Sequence, residues 1–331
     1  MSDAVAPQDA ARRPLRWGVV GTGGISRQMV SDFALVPDAE VVAVASRDRA
    51  RADAFADEFD IACRFTDRSE MFGAVDAVYI ATPHVTHFDV ASEAIAAGRH
   101  VLCEKPLGMS EEQVRELTSR AADAGVFLME AMWMSFNPLI ARLVALIGEG
   151  VLGEVRSLRA AFGAPFPQDD SSRWKPGGSA LLDQGIYPVT LAHTLFGPPD
   201  SIRASGTVRE DGVDLREEFT LGWADGRFAH GASSMVDWLD TSAAVGGTEA
   251  FVTIPGGFWW ASQLTVHHHI GRGQHREEVV EVEREGNGYV PMLRAVVAAI
   301  RGGALEHPLH TAATTAAVYR TLDAIRSEIT R

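Results

Sequence analysis

The chain has 331 residues, 46% of them hydrophobic, a mean hydropathy near zero and a formal charge of −14. That length supplies one or two domains with a substantial core, and the acidic balance disfavours a nucleic-acid partner, which rewards a basic face. Two cysteines, Cys63 and Cys103, make no disulfide framework, and neither a leader-like N-terminus nor a membrane-length apolar run is present, so a cytoplasmic protein without a membrane partner is expected.

Residues 1–14 read as a tail, residues 15–134 as a first domain and residues 135–331 as a second. Leu15 to Val20 is an apolar run ending in Gly21-Thr22-Gly23-Gly24, after which Ile25, Met29 and Phe33 fall at helical spacing. Val41 to Ala45 and Ala77 to Ala81 are further apolar strands. Between them a helix is predicted over Ala50 to Phe59. A helix from about Val85 stops at Gly98, His100 to Cys103 is the next strand, and Ser110 with Gln113 has capping-box spacing at the head of a helix reaching Ala124. Phe127 to Met129 closes the series. Strands that are apolar throughout and alternate with helices predict a doubly wound parallel sheet.

The second half has another texture. Pro138 to Ile147 predicts a helix, Val155 to Phe162 an extended segment, and Gly177-Gly178 opens a helix running to Phe196. Turn signals at 210–212, 224–226, 255–257 and 271–273 then punctuate short runs, which predicts a large, mainly antiparallel sheet. Helices over Met292 to Ile300 and Thr311 to Ile329 complete an α+β domain, whose sheet leaves one face open.

Gly21-Thr22-Gly23-Gly24-Ile25-Ser26 follows a predicted strand and opens a predicted helix. The first glycine permits the turn, the second lets a diphosphate approach, and Ser26 is small enough for close helix packing. After the second strand stand Ser46, Arg47 and Asp48. A neutral serine and an arginine suit a 2′-phosphate, which favours NADP; NAD stays possible if Asp48 reaches the ribose.

Only two lysines stand against 28 arginines, and one is Lys105, in Cys103-Glu104-Lys105-Pro106. It lies just past a predicted strand, where ligands bind in open α/β sheets. Thr82, Pro83 and His84, with His87 beyond them, follow the preceding strand and should line the same cofactor crevice. Glu104 either braces Lys105 or caps the turn, and His87 reads as packing or hydrogen-bonding.

The glycine loop, Thr82-Pro83-His84 with His87, Gly98 through Pro106, and Gly177 through Pro188 together resemble the Gfo/Idh/MocA oxidoreductases over nearly the whole chain. Gly125 through Trp133, with Phe136 and Pro138, is similar to the branch of dimeric dihydrodiol dehydrogenases and NADP-linked D-xylose dehydrogenases. Many relatives carry histidine where this chain has Tyr187, four residues after Asp183. The resemblance implies an NADP-dependent dehydrogenase acting on a sugar or cyclic diol, with Lys105, Asp183 and Tyr187 catalytic. It also implies that Trp133, Phe162 and Trp259 lie near the substrate.

A free phenol titrates near 10, and a neighbouring ammonium lowers that value. Tyr187 is therefore expected as general base in oxidation and acid in reduction, tuned by Lys105, with Asp183 orienting a hydroxyl or keeping Lys105 charged. Taken singly, each has a plainer account: a helix-start aspartate, a core aromatic, a lysine on the cofactor ribose. Arg173 and Trp174 are further substrate candidates, and Lys175 reads as a loop charge. His267, His268, His269 and His275 lack a framing ligand pattern, so no metal is expected. The second face of the sheet must be covered, and Phe258, Trp259 and Trp260 are costly to leave in water; relatives in the resembled family pair these sheets face to face, so the resemblance implies a homodimer, or a larger assembly, through that sheet. A keto-sugar reductase is the close alternative; a cofactor-assisted glycoside hydrolase and a non-catalytic NADP-binding regulator are the more distant ones.

Overall fold

The computed structural model describes residues 13–331, apart from the side chain of His275; the expected tail lies outside it up to residue 12. The first sheet has six parallel strands, β1 (Leu15–Val20), β2 (Ala39–Ala45), β3 (Cys63–Phe65), β4 (Ala77–Ile80), β5 (His100–Cys103) and β6 (Leu128–Glu130). Their order across the sheet is β3-β2-β1-β4-β5-β6. Helices α1 (Gly24–Phe33), α2 (Arg49–Glu58), α3 (Arg68–Phe72), α4 (His87–Ala96) and α5 (Glu111–Ala124) connect them. Burial on both faces explains the unbroken apolar runs: every residue of β4 is buried. The order reverses direction between β1 and β4, and in open α/β sheets ligands bind at such a switch point, beyond the carboxyl ends of the strands.

The second sheet has eight strands, β7 (Val155–Gly163), β8 (Ser201–Val208), β9 (Asp214–Gly222), β10 (Phe228–Ser234), β11 (Ala243–Gly247), β12 (Ala250–Ile254), β13 (Gln263–Gly271) and β14 (Gln274–Glu281). They run in the order β14-β13-β12-β11-β7-β10-β9-β8. Of the neighbouring strands only β7 and β10 pair in parallel; the others are antiparallel, as hairpins except for β7 with β11. One face packs on α7 (Ile186–Phe196) and α9 (Ala312–Ile329), and α9 also packs on α5. The other face carries Arg159, Arg203, Glu218, His230, Ala232 and Ala244 around a hollow of about 720 Å³.

Two more helices, α6 (Pro138–Gly148) and α8 (Val290–Arg301), join the halves, α8 packing on α1. Several local expectations shift. The helix expected from Val85 begins at His87, because His84–Thr86 form a separate 3₁₀ turn. Ser110 caps α5 by accepting from the Gln113 amide, yet Gln113 Oε1 returns to the Met109 amide, so the reciprocal capping box is displaced by one residue. The strand β3 and helix α3, at three and five residues, were too short to show a period. No helix among the described residues is long and apolar enough to cross a membrane.

Phe258, Trp259 and Trp260 are not on the open sheet face. They follow β12, where Phe258 is fully buried and Trp259 half-buried, and only Trp260 is exposed. The exposed face is instead polar and small-residue in character, so the apolar argument for pairing does not hold in its original form.

Candidate active site

The carboxyl edge of the first sheet gathers the expected cofactor residues. Gly21 leaves β1 at φ +108, and a Cβ there would collide with the Ala81 carbonyl leaving β4. Gly23 and Gly24 have nothing within 4 Å of where a Cβ would stand, so the surface at the N-terminus of α1 is open there. Ile25 and Thr22 flank this cradle half-buried, and Ser26 is buried behind it. The cradle fits an anionic diphosphate.

Past β2, Ser46 is half-buried and its hydroxyl accepts from the Asp48 amide at 3.3 Å. Arg47 is exposed at this rim. Asp48 is the N-cap of α2, accepting from the Arg51 amide at 3.2 Å. One oxygen of its carboxylate is thus engaged by the helix, and Arg47 stands beside it at the rim.

Past β4, Thr82 shares a hydroxyl contact with Thr86 at 2.8 Å, Pro83 is exposed, and His84 is half-buried beside His87. Burial pushes the His84 imidazole down to about 3, Asp183 opposing and Lys105 reinforcing, so it is neutral at ordinary pH. His87 is buried with Nδ1 2.7 Å from the Pro106 carbonyl and Nε2 2.7 Å from the Thr82 carbonyl. It ties the segment after β4 to the segment after β5.

Past β5 stand Glu104 and Lys105. Glu104 is buried and accepts from the Tyr79 hydroxyl at 2.7 Å. Burial pushes its carboxyl up to about 7 against the opposing pull of Tyr79 and Lys105. Lys105 Nζ donates to both the carbonyl oxygen and Oδ1 of Asp183, each at 2.7 Å, and lies 5.2 Å from the centre of the Tyr187 ring. Burial alone would lower the ammonium, but Asp183 and Tyr187 raise it above the ordinary lysine value, so it is charged.

Asp183 and Tyr187 come from the far half of the chain. Residues Leu181–Gly185 wind as one π-helical turn before α7, a distortion that often marks functional sites. Asp183 lies between two cations: its Oδ2 accepts from Arg173 Nε at 3.0 Å while Oδ1 holds Lys105. Burial would raise the carboxyl, but Lys105, His84 and Arg173 hold it well below the usual carboxylate range. The guanidinium of Arg173 also stacks on Phe166 at 3.8 Å.

The Tyr187 hydroxyl accepts from the Trp133 indole N–H at 3.0 Å. Phe162 and Trp259 stack face to face at 3.7 Å, and both ring centres lie 5.7 Å from that of Tyr187. Lys105 does pull the Tyr187 phenol down, as expected, but its charge does not set the balance. Burial is the largest effect and holds Tyr187 above its ordinary value, with Lys105 and the Trp133 N–H pulling down and Glu104 and Asp183 pushing up.

Trp133, Phe162, Trp259 and Arg173 are therefore brought to the Lys105–Asp183–Tyr187 cluster. Trp174 packs instead with Phe166 against Ala180, Val213 and Met235, its indole donating to the Pro167 carbonyl. Lys175 is an exposed loop residue. His267 stacks on Phe251 and faces Glu277, His268 pairs with Glu278, and the side chain of His275 lies outside the described residues. Sequence reasoning missed Tyr289, whose ring packs on Trp133 at 4.7 Å. It lies far along the chain, and no local pattern marks it.

Residues 15–132 match the family described as an oxidoreductase family with an NAD-binding Rossmann fold, and residues 140–253 match the GFO/IDH/MocA C-terminal domain. The chain is 36% identical over 260 residues to the trans-1,2-dihydrobenzene-1,2-diol dehydrogenase of Mus musculus, spanning 76% of this chain and 78% of that one. The human counterpart is 35% identical over 274 residues, spanning 80% and 79%. Among solved structures, a 3-ketoreductase from Actinomadura kijaniata in complex with NADP and TDP-benzene superposes with a TM-score of 0.87. It is 27% identical, covering 96% of this chain and 98% of that one.

Proposed function

Because the chain belongs to the Gfo/Idh/MocA oxidoreductase family, and so is an NAD(P)-dependent enzyme of CH–OH groups, we propose that it uses NADP on a secondary or hemiacetal carbinol of a sugar or cyclic trans-diol. The observation that carries this reading is the meeting of Lys105 and Asp183, 78 residues apart in sequence, over the Tyr187 ring at the carboxyl edge of the parallel sheet. The relatives named as dihydrodiol dehydrogenases and a ketoreductase support the substrate class.

NADP, when bound, supplies the hydride acceptor for oxidation or the hydride donor for reduction. Gly23, Gly24 and the head of α1 hold its diphosphate, and Arg47 holds its 2′-phosphate. In its phenolate form Tyr187 takes the hydroxyl proton during oxidation and becomes phenol, and in its phenol form it gives that proton to the carbonyl oxygen during reduction. Lys105, kept charged by Asp183, stabilises negative charge on Tyr187 and on the substrate oxygen. Phe162 and Trp259 give the substrate ring an apolar slab.

The reductase reading of a keto-sugar has its own support. Burial keeps the Tyr187 phenol protonated near neutral pH, which suits a proton donor. We place the same residues in both directions. The open face of the second sheet, with Ala232 and Ala244 in its hollow, suits close approach of a second copy. The decisive experiment follows reduced nicotinamide by absorbance with aldoses, cyclic diols and keto-sugars, for the native protein and Tyr187→Phe. Net turnover that vanishes in the variant while NADP still binds is expected; turnover retained in Tyr187→Phe overturns the role of Tyr187.

A further inference from the structure

We infer that Trp133 is the positioning residue that orients the Tyr187 phenol and favours its ionised form, and that it is held in place from the cofactor-binding helix. The inference rests on the proposed role of Tyr187 and adds a task for Trp133 other than lining the substrate pocket.

A hydroxyl that accepts a hydrogen bond commits one lone pair and turns its own hydrogen away from the donor. The indole N–H of Trp133 is such a donor, at 3.0 Å in a buried setting. A donor binds phenolate more strongly than phenol, because bonds to charged acceptors are the stronger ones. The effect depends on aim, and the indole is aimed by contacts on its other side. Tyr289 packs against it at 4.7 Å, and Gly288, at φ +104, passes so close that a Cβ would lie 3.0 Å from Trp133 Cζ3.

That loop is fastened to α1, the helix whose N-terminus faces the diphosphate cradle. Asp32, next to the end of α1 and 1% exposed, accepts from the Asn287 amide at 2.8 Å, the Asn287 side chain at 2.9 Å and the Tyr289 amide at 2.9 Å. Three donors on one buried carboxylate make a stiff joint. The line Asp32, Asn287–Tyr289, Trp133, Tyr187 therefore couples the cofactor helix to the proton carrier through contacts alone. The charged and titratable groups around the phenol are Lys105, Asp183, Glu104 and Tyr289, with His84 and Arg173 behind Asp183. Trp133 is the neutral donor among them.

The test replaces Trp133 with its sulfur isostere, 3-benzothienylalanine, which keeps ring shape and lacks the N–H. Trp133→Phe serves as a second, genetically simple variant, and NADP binding by fluorescence reports folding. For the isostere the expected result is an oxidation kcat about tenfold lower at neutral pH and a rising limb of the pH–rate profile moved up by about one unit, with KM and NADP affinity within about twofold; Trp133→Phe is expected to show the same shift of the limb. A limb that stays in place, or a change confined to KM, overturns the inference and leaves Trp133 as a wall of the substrate pocket. Tyr187→Phe separates the two levels. If that variant is inactive while the isostere titrates like the native protein, only this inference fails; if that variant turns over, the proposed role of Tyr187 on which this inference rests is what fails.

Discussion

Lys105 meets Asp183 twice: one ammonium reaches both the carboxylate and the main-chain carbonyl of the same residue, each at 2.7 Å. The double contact fixes the lysine in direction as well as in charge. A lone carboxylate partner would let the flexible four-carbon stem swing, whereas the carbonyl of a π-helical turn is part of the backbone and does not rotate. Arg173 takes the other carboxylate oxygen, so both oxygens of Asp183 are bound by cations.

Lys105→Met keeps the stem and deletes the charge. Asp183 retains Arg173, so folding survives, and kcat is expected to fall by about 10²–10⁴. Single-turnover kinetics check this. A raised NADP dissociation constant with kcat unchanged would assign Lys105 to cofactor binding.

Arg47→Ala removes the charged group presented past β2, while Asp48 remains committed to capping α2. NADP affinity is expected to fall by about 10–100-fold, the worth of one or two charge-assisted hydrogen bonds, with NAD affinity nearly unchanged. Titration with both dinucleotides measures the ratio. Equal losses would contradict the assignment of the 2′-phosphate.

Glu104 is a buried carboxyl raised from 4.5 to about 7. A raised folded-state value means that the folded form prefers the protonated acid. The associated stability is fully present below about pH 4.5 and is lost as pH rises through about 7. Glu104→Gln keeps an acceptor for Tyr79 and has no proton to lose, so it should match the native protein near pH 4.5. Above pH 7 it should gain relative to the native protein, by roughly 1–3 kcal/mol. Urea unfolding at the two pH values provides the comparison, and a pH-independent difference would contradict it.

Ala232→Arg places a long charged side chain in the hollow of the open sheet face. If two copies pair there, sedimentation at micromolar concentration should show native dimers and variant monomers, with the active-site cluster intact. A native monomer would remove the pairing proposal.

Much of the architecture could be read from short-range pattern. The runs Leu15–Val20, Ala77–Ile80 and His100–Cys103 are apolar at every or nearly every position because both faces of a parallel sheet are covered, and that burial is written directly into composition. Gly21 of the first turn was legible because a backbone at φ +108 against the Ala81 carbonyl tolerates no side chain. Lys105, Asp183 and Tyr187 stood out through an unusual lysine and a spacing shared with a family.

Other features had no local signature. Whether burial or the Lys105 charge governs the Tyr187 phenol depends on the water excluded around it, and burial prevails. Trp133, Phe162, Trp259 and Tyr289 come from four separate segments, and their contacts belong to the packed state. Trp259 left the sheet face expected of it and stacks instead on Phe162 beside Tyr187 of α7, while Phe258 is fully buried. The sequence by itself determined the parallel sheet and the glycine turn after its first strand, and it singled out the candidate reactive side chains, since each depends on neighbours a few residues away. Only the tertiary structure decided which of those side chains touch, which are charged and what holds them, because those depend on the neighbours that long-range packing brings close and on the solvent it removes.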